Sequence, residues 1–120
     1  MLDGDASAPV RVYTVWEPIL VTDLAAPISS VLRRMADVRV QQYWDRGHAL
    51  SEQMKKDARP PQPTEDCCER RGHLWDLAAV YPPGLTWTDR MPAATIFNGP
   101  VVDIADQLAA ALRAGTAPGR

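Results

Sequence analysis

Residues 10–18, with the sequence VRVYTVWEP, alternate between two faces of an extended chain. One face carries β-branched or aromatic side chains, at Val10, Val12, Thr14 and Trp16. Such residues at a period of two predict a β-strand with one face more buried than the other. The strand is expected to end at Pro18, because proline has no N–H to donate to a neighbouring strand.

A helix and a second strand are predicted to follow. Apolar residues recur with helical spacing at Leu24, Ile28, Val31, Leu32 and Met35. Residues 38–45, VRVQQYWD, then alternate again, although Gln41 and Gln42 weaken the apolar face. A strand–helix–strand unit with a right-handed crossover places its two strands in parallel. We therefore expect these two strands to be parallel neighbours.

Proline and glycine divide the second half of the chain into shorter segments. The predicted segments are a helix over 48–57, a loop over 59–72, a central strand over 74–81, and strands over 85–87 and 94–97 that return antiparallel to it. A last helix has its apolar residues at helical spacing over 101–112 and stops at Gly115. Helices and strands in this order predict an α/β domain, with a mixed sheet covered by helices on both faces.

Length and charge exclude several classes of protein. A chain of 120 residues corresponds to one domain, which we expect at 10–114, with a flexible arm at 1–9 and a flexible tail at 115–120. The net charge of −2 builds no broad positive face of the kind that nucleic-acid binding requires. No stretch approaches the roughly 20 apolar residues of a membrane span, and the N-terminus lacks the pattern of a secretory signal. The sequence thus predicts a cytoplasmic protein that binds neither nucleic acid nor membrane.

The adjacent cysteines Cys67 and Cys68 are the residues most suited to chemistry. Consecutive Cα atoms lie about 3.8 Å apart, whereas an unstrained disulfide needs about 4.4–6.8 Å. A bridge between these cysteines would be strained and easily reduced, which suits a switch better than a structural crosslink. The neighbouring basic and acidic residues act on the thiol pKa in opposite directions, so the sequence does not establish an activated thiol.

Three interpretations of the cysteine pair remain open at this stage: a redox-active pair, two thiols without a task, and a site for a soft metal ion. A closed zinc site needs four ligands, and paired CxxC spacing is absent, so no metal is assigned. No glycine-rich phosphate loop is present, and no cofactor is expected.

The other candidate residues have simpler interpretations. Neither His48 nor His73 accompanies a serine nucleophile pattern, and His48 is interpreted as a surface or capping residue at a helix start. Asp45 is expected to end its strand and to cap the next helix. Asp76 is predicted in mid-strand, where a buried carboxylate needs a partner. The four tryptophans are expected to pack in the core and on the sheet.

Four segments carry a resemblance to a known family: VYTVWEPIL with Thr22 and Asp23, DVRVQQYWD, LWDLAAVYPPG followed by Trp87, and FNGP at 97–100. Together they span about residues 10–112 and resemble the thioredoxin-like superfamily, more narrowly a largely uncharacterised bacterial group within it. The resemblance implies a mixed sheet flanked by helices, thiol–disulfide chemistry, and a cis-proline for which Pro92 is the candidate.

The sequence departs from this family at one essential place. The family's nucleophile belongs to a Cys-x-x-Cys motif at a helix N-terminus, and no position of this chain matches it. The domain is therefore expected to lack the first strand–helix unit of the family. Three explanations are open: the given sequence starts too late, the chain is a shortened relative, or a partner supplies the unit.

Cys67 and Cys68 are the residues predicted for any remaining thiol function. The alternatives are a non-catalytic protein-binding or dimerisation module that uses the open sheet edge, and soft-metal binding by the pair.

Overall fold

A computed structural model of the chain describes residues 9–18, 25–58, 68–70 and 72–116. In chain order the elements are β1 Val12–Trp16, α1 Ser29–Leu32 with a 3₁₀ turn at Arg33–Met35, β2 Val40–Trp44, α2 Ala49–Asp57, β3 Glu69–Arg70, β4 His73–Leu74, β5 Ala78–Val80, β6 Ile96–Asn98 and α3 Ala105–Thr116. They form a small α/β domain. Most of the predicted arm, Leu24, most of the 59–72 loop with Cys67, and residues 117–120 lie outside the described ranges.

The predicted parallel pairing of the first two strands is confirmed. β1 and β2 run parallel, with Val12 beside Val40 and Trp16 beside Trp44. Gln42 explains why a polar residue belongs in β2, since its Oε1 accepts a hydrogen bond from the Trp16 indole at 3.0 Å. Its amide nitrogen donates to the Leu32 carbonyl at 2.9 Å. The hydrogen bonds of this side chain therefore connect β2 to both β1 and α1.

The described strands form three two-stranded sheets, and the single mixed sheet is not confirmed. The predicted central strand over 74–81 is wrong, because it is divided between β4 and β5. Asp76 lies between them with φ of 51°, a left-handed conformation outside the extended region of regular strands. The antiparallel return is confirmed at β6, where Ile96 pairs with Val80. Residues 85–87 form no strand.

The centre of the core lies where α2, the strands β4 to β6 and the segment before β6 meet. Met91, Ala94 and Phe97 are buried, and partly buried residues pack on them, namely Met54, Ala58, Leu74, Leu77, Ala79, Tyr81 and Trp87. Trp75 departs from the expectation that the tryptophans pack inside, since 40% of it is exposed. The last helix starts later than predicted and continues through Gly115. None of the helices in the described ranges has the length and apolar character to cross a bilayer.

Candidate functional site

Cys68 lies at the start of a short β-hairpin, which we call the cysteine hairpin and define as residues 68–70 and 72–75. Glu69 pairs with Leu74 and Arg70 with His73. The Trp75 N–H donates to the Cys68 carbonyl at 2.9 Å and extends this pairing by one residue. Part of the segment predicted as a loop is thus ordered by backbone hydrogen bonds, and it carries the cysteine in a defined position.

Cys68 is disulfide-bonded. The chain holds one other cysteine, Cys67, which lies outside the described residues. Cys68 is half-buried, and its backbone is left-handed, with φ of 76°. For a residue with a side chain this conformation is unfavourable, and such residues tend to occur at functional sites.

The Cys68 sulfur packs closely against Gly99. A Cβ at position 99 would lie 2.7 Å from Cys68 Sγ and 2.1 Å from the Asp76 carbonyl oxygen. Both distances are shorter than any van der Waals contact, so only glycine fits here. The peptide bond that follows, Gly99–Pro100, is cis. This corrects the expectation of a cis-proline at Pro92.

Asp76 also lies beside Gly99, but it is not the mid-strand residue that the sequence predicts. It is exposed and left-handed, so it is not a buried mid-strand carboxylate. Its Oδ1 accepts a hydrogen bond from the Val101 N–H at 3.2 Å. The carboxylate thereby ties the end of the cysteine hairpin to the segment that leads into α3.

The other side of the cysteine hairpin rests on one face of α2. This face, which we call the docking face, consists of His48 at the N-cap together with Ser51, Glu52 and Lys55. These positions are spaced at i, i+3, i+4 and i+7, so they project on the same side of a helix. The buried Ser51 hydroxyl accepts the Leu74 N–H at 2.8 Å.

Lys55 makes a second polar contact between the docking face and the hairpin. Its Nζ donates to the Gly72 carbonyl. Gly72 has φ of 82° at the hairpin turn, a conformation that glycine adopts without strain. Hydrogen bonds at Leu74 in β4 and at Gly72, the residue before β4, thus tie this part of the hairpin to α2.

The two histidines meet between the hairpin and the docking face. Their rings are stacked, with centroids 3.7 Å apart and an interplanar angle of 11°. His48 Nδ1 lies 3.0 Å from Glu17 Oε2, within hydrogen-bond distance. His73 Nδ1 lies 3.4 Å from Glu52 Oε1 and makes no hydrogen bond to the described residues. The stack therefore joins the end of β1, the start of α2 and the cysteine hairpin.

Asp45 caps α2, as predicted. Its Oδ1 accepts the Ala49 N–H at 3.0 Å, and its Oδ2 accepts the Leu50 N–H at 2.8 Å. His48 occupies the N-cap position but makes no side-chain capping bond. The carboxylate of Asp45 thus does the capping, and the His48 ring contacts Glu17 and His73 instead.

Burial controls the ionisation of Glu17. Removal from water raises the pKa of this carboxyl above its ordinary value, and this effect outweighs the opposing hydrogen bond and charge of His48. A carboxyl whose pKa is raised in the folded state contributes stability that is fully present below its unfolded pKa. That contribution is lost as the pH rises through the folded pKa.

We expect the pH dependence of stability to change in Glu17→Gln. The variant has no carboxyl to ionise at this position, so the stability of the wild type relative to the variant should fall as the pH rises through the raised pKa of Glu17. Urea denaturation of both proteins across the acidic range measures this difference. Asp37→Asn is the control, because hydrogen bonds from Arg39 lower the pKa of Asp37 to about 2. The stability of the wild type relative to this variant should therefore rise with pH over the range in which the carboxyl ionises. A wild-type advantage at position 17 that grows with pH would contradict the prediction.

The left-handed residues of the domain converge on this region. Among the described residues, the three non-glycine residues with positive φ are His48, Cys68 and Asp76. His48 belongs to the histidine stack, and Cys68 is the disulfide-bonded cysteine. Asp76 accepts a hydrogen bond from Val101, in the segment that leads into α3. Backbone strain of this kind is retained only where the surrounding structure enforces it. Its restriction to this region marks the region as the candidate site.

Most of this arrangement has no signal in the sequence. His48 and His73 are 25 positions apart, and no local pattern connects them. The spacing of the docking face was visible in the sequence, but polar residues on one side of a helix also occur on any solvated face. FNGP at 97–100 contributes to the sequence analysis only as part of the resemblance, and the contact of Gly99 with Cys68 has no sequence signal.

Comparison with protein-family models, with curated proteins and with solved structures gives no match to this chain. The thioredoxin-like resemblance therefore remains a prediction. In the part of the chain that the structure describes, no group of three or more His, Cys, Asp or Glu side chains is arranged to hold a metal ion.

Proposed function

We propose that this domain exchanges electrons with a dithiol partner through the Cys67–Cys68 pair. The observation that carries the proposal is the environment of Cys68: this residue is disulfide-bonded and left-handed, and its sulfur lies against Gly99. A structural crosslink between adjacent residues closes almost no loop, so it cannot stabilise a fold through chain entropy. Such a pair is better suited to reversible oxidation and reduction than to structural crosslinking.

The proposed reaction is reduction of the disulfide by two thiols. A thiolate of the partner attacks one sulfur of the pair, the S–S bond breaks, and a mixed disulfide forms. The released thiolate takes up a proton. The second thiolate of the partner then attacks the partner's own sulfur in the mixed disulfide. The partner leaves as a disulfide, and the second cysteine of the pair is released as a thiolate that takes up a proton. Two electrons have then passed from the partner to this chain, which ends with two thiols.

We expect the exchange to require both cysteines. Incubation of the oxidised protein with dithiothreitol should yield two protein thiols and one oxidised dithiothreitol, measured by thiol titration and by mass. Cys67→Ser and Cys68→Ser should each lose the complete cycle, and each should accumulate a mixed disulfide when challenged with a model disulfide. Thr86→Ser, an exposed change outside the site, is the matched control. Exchange that continues at the wild-type rate in both cysteine variants would remove the proposal.

A second candidate function is protein binding or dimerisation without catalysis. Among the described strands β1 and β2 pair only with each other, so each has one edge without a strand partner. Tyr13 and Tyr43 are 55% and 51% exposed on these strands, with ring centroids 6.3 Å apart. Exposed aromatic residues of this size are common in protein interfaces.

This second function would be visible in the mass of the protein in solution. Light scattering that shows a dimer in the wild type and a monomer in a Tyr13→Ser and Tyr43→Ser double variant would support it. A monomer at all concentrations would count against dimerisation.

Soft-metal binding is the third hypothesis, and titration of the reduced protein with a thiophilic ion tests it. Competition between that ion and a thiol reagent would show whether the pair is the ligand.

A further inference from the structure

One edge of β1 faces away from β2. The Val12 N–H donates to the residue before β2, and the Trp16 carbonyl accepts a hydrogen bond from the residue after β2. Backbone groups of successive residues point to opposite sides of a strand in the plane of its sheet. The N–H and C=O groups of Tyr13 and Val15 therefore point away from β2, and we call these groups the open edge.

The open edge has no hydrogen-bonding partner in the part of the chain that the structure describes. An unpaired row of N–H and C=O groups is a template on which another strand can pair. The outer edge of β2 is less available, because its first outward residue, Val40, already donates its N–H to the Asp37 carbonyl at 2.9 Å. Pro9 and Pro18 flank the open edge, and proline has no N–H to donate. The edge therefore suits one short added strand.

The charge around β1 and β2 is positive. In the described residues up to position 46, the three carboxylates are each engaged by a neighbouring group, namely Glu17 by His48, Asp37 by Arg39 and Asp45 by the first turn of α2. Four arginines in the same ranges are exposed and have no carboxylate partner among the described residues, namely Arg11, Arg33, Arg34 and Arg46. This region thus presents positive charge that lacks a counter-charge.

Arg11 brings this charge to the open edge. It directly precedes β1, and it lines a surface groove together with Gln41, which is the register partner of Tyr13. A strand that adds to β1 therefore extends past the Arg11 guanidinium. A carboxylate on that strand would supply the counter-charge, and Arg is well suited to binding a carboxylate because its guanidinium donates hydrogen bonds in a planar fork.

The side chains next to the open edge favour an apolar neighbour. Tyr13 is exposed, and its ring centroid lies 6.3 Å from that of Tyr43 on the same face of the sheet. The opposite face is covered by the turn after α1, where Thr14 Oγ1 donates to Met35 Sδ at 3.8 Å. Parallel strands are usually covered on both faces. Aromatic side chains pair favourably with β-branched ones across strands, so an apolar residue of an added strand fits beside Tyr13.

We propose that the open edge binds an extended, acidic segment of another protein, which adds to β1 as a new strand, with a carboxylate beside Arg11 and an apolar side chain beside Tyr13. This inference deepens the second candidate function, protein binding, and does not depend on the cysteines. A second copy of this chain is a poorer occupant, because Glu17, the carboxylate that its own β1 would offer, is engaged with His48.

Fluorescence anisotropy with two short, blocked peptides tests the charge preference. One peptide alternates glutamate with valine, and the other alternates lysine with valine. The wild type should bind the glutamate peptide at least about tenfold more tightly, because like charges across an interface are strongly unfavourable. Arg11→Glu should reverse this preference. Lys56→Glu makes the same change of charge at an exposed residue of α2 and should alter the affinity for the glutamate peptide by less than about twofold, because solvent and salt screen distant charges.

Amide hydrogen exchange locates the contact. When the glutamate peptide saturates the protein, protection of the Tyr13 and Val15 N–H groups should rise at least about tenfold, because they gain acceptors. The Val12 N–H is the internal control and should change by less than about twofold, since it already donates to the Arg39 carbonyl. A glutamate peptide with methylated backbone nitrogens should not bind, because main-chain hydrogen bonds supply the affinity of an added strand.

Each outcome bears on a separate part of the proposal. No binding of the glutamate peptide at about 1 mM overturns it. Binding that leaves the Tyr13 and Val15 amides unprotected overturns strand addition. Equal affinity for the two peptides, with both amides protected, overturns the acidic partner and leaves protein binding at this edge standing.

Two other occupants are distinguished by the same measurements. A single-stranded DNA oligonucleotide of equal charge that displaces the glutamate peptide at similar concentrations would show a general site for polyanions and overturn a protein partner. Protection of the Tyr13 and Val15 amides that rises with protein concentration, without peptide, would identify a second copy as the occupant and also overturn the proposal.

The cysteine variants keep this inference separate from the redox proposal. Cys67→Ser and Cys68→Ser should bind the glutamate peptide as the wild type does. Failure of thiol exchange in the dithiothreitol assay therefore removes the redox function and leaves strand addition intact, whereas loss of peptide binding in the wild type leaves the redox function intact.

Discussion

Gly99→Ala is expected to destabilise the oxidised domain by about 1–3 kcal/mol, the range seen when atoms are added to a packed site. The new Cβ would lie 2.1 Å from the Asp76 carbonyl oxygen and 2.7 Å from Cys68 Sγ. The first obstacle is backbone, which cannot rotate away as a side chain can. Urea denaturation of the two proteins, under conditions that keep the disulfide intact, gives the difference in the free energy of unfolding.

Gly47→Ala is the matched control for this change. No atom lies within 4 Å of a Cβ at position 47, and Gly47 does not have a positive φ. Its substitution should change stability by less than about 0.5 kcal/mol, as at other open surface positions. In a Cys68→Ala background the cost at position 99 should persist, because the Asp76 carbonyl remains. A cost that disappears in that background would show that the sulfur alone requires the glycine.

Asp57→Ala is expected to destabilise the domain by about 2–3 kcal/mol, near the upper end of the cost of a buried unsatisfied polar group. Asp57 is 4% exposed. Its Oδ2 accepts the buried Met91 N–H at 2.8 Å and the Gln53 amide at 3.2 Å. Alanine leaves that backbone N–H without its acceptor inside the core. Denaturation with urea measures the loss.

Two controls separate the hydrogen bond from other effects. Asp57→Asn keeps an oxygen acceptor and should be clearly less destabilising than alanine, whereas Asp103→Ala at an exposed position should be within about 0.5 kcal/mol of the wild type. Equal losses for alanine and asparagine at position 57 would mean that the charge matters and the acceptor does not.

The Asp57→Asn variant also has a spectroscopic signature at Tyr81. Burial, together with the negative charge of Asp57, raises the pKa of Tyr81 to about 12. Removal of that charge should lower this pKa, but burial is the larger cause and should keep it above the ordinary value. Absorbance of the phenolate against pH measures the shift. In the wild type, stability from this group is present below the ordinary tyrosine pKa and is lost as the pH rises through about 12.

Several features of this domain could be predicted because they depend on neighbouring residues. The alternation in VRVYTVWEP locates β1, and the helix over 48–57 agrees with α2 to within one residue. The carboxylate of Asp45 caps that helix because a cap needs only an acceptor next to the first free N–H groups. Parallel pairing of β1 and β2 followed from the helical crossover that is predicted to connect them.

Other features depend on contacts between distant segments, and sequence patterns could not supply them. The apolar run over 74–81 matches a strand, but its break at Asp76 depends on the contact with Val101 and Gly99. The pairing of His48 with His73 depends on where the cysteine hairpin docks.

By itself, then, the sequence determined the periodic elements, the cap of α2 and the two cysteines as the residues with the most reactive chemistry. The tertiary structure alone decided that Gly99 faces the Cys68 sulfur, that the strands divide into three pairs, and that two histidines stack beside the cysteine hairpin. The physical reason is range. Hydrogen bonds and hydrophobic periodicity within one element act over a few residues, whereas the contacts at this site join residues 17 or more positions apart.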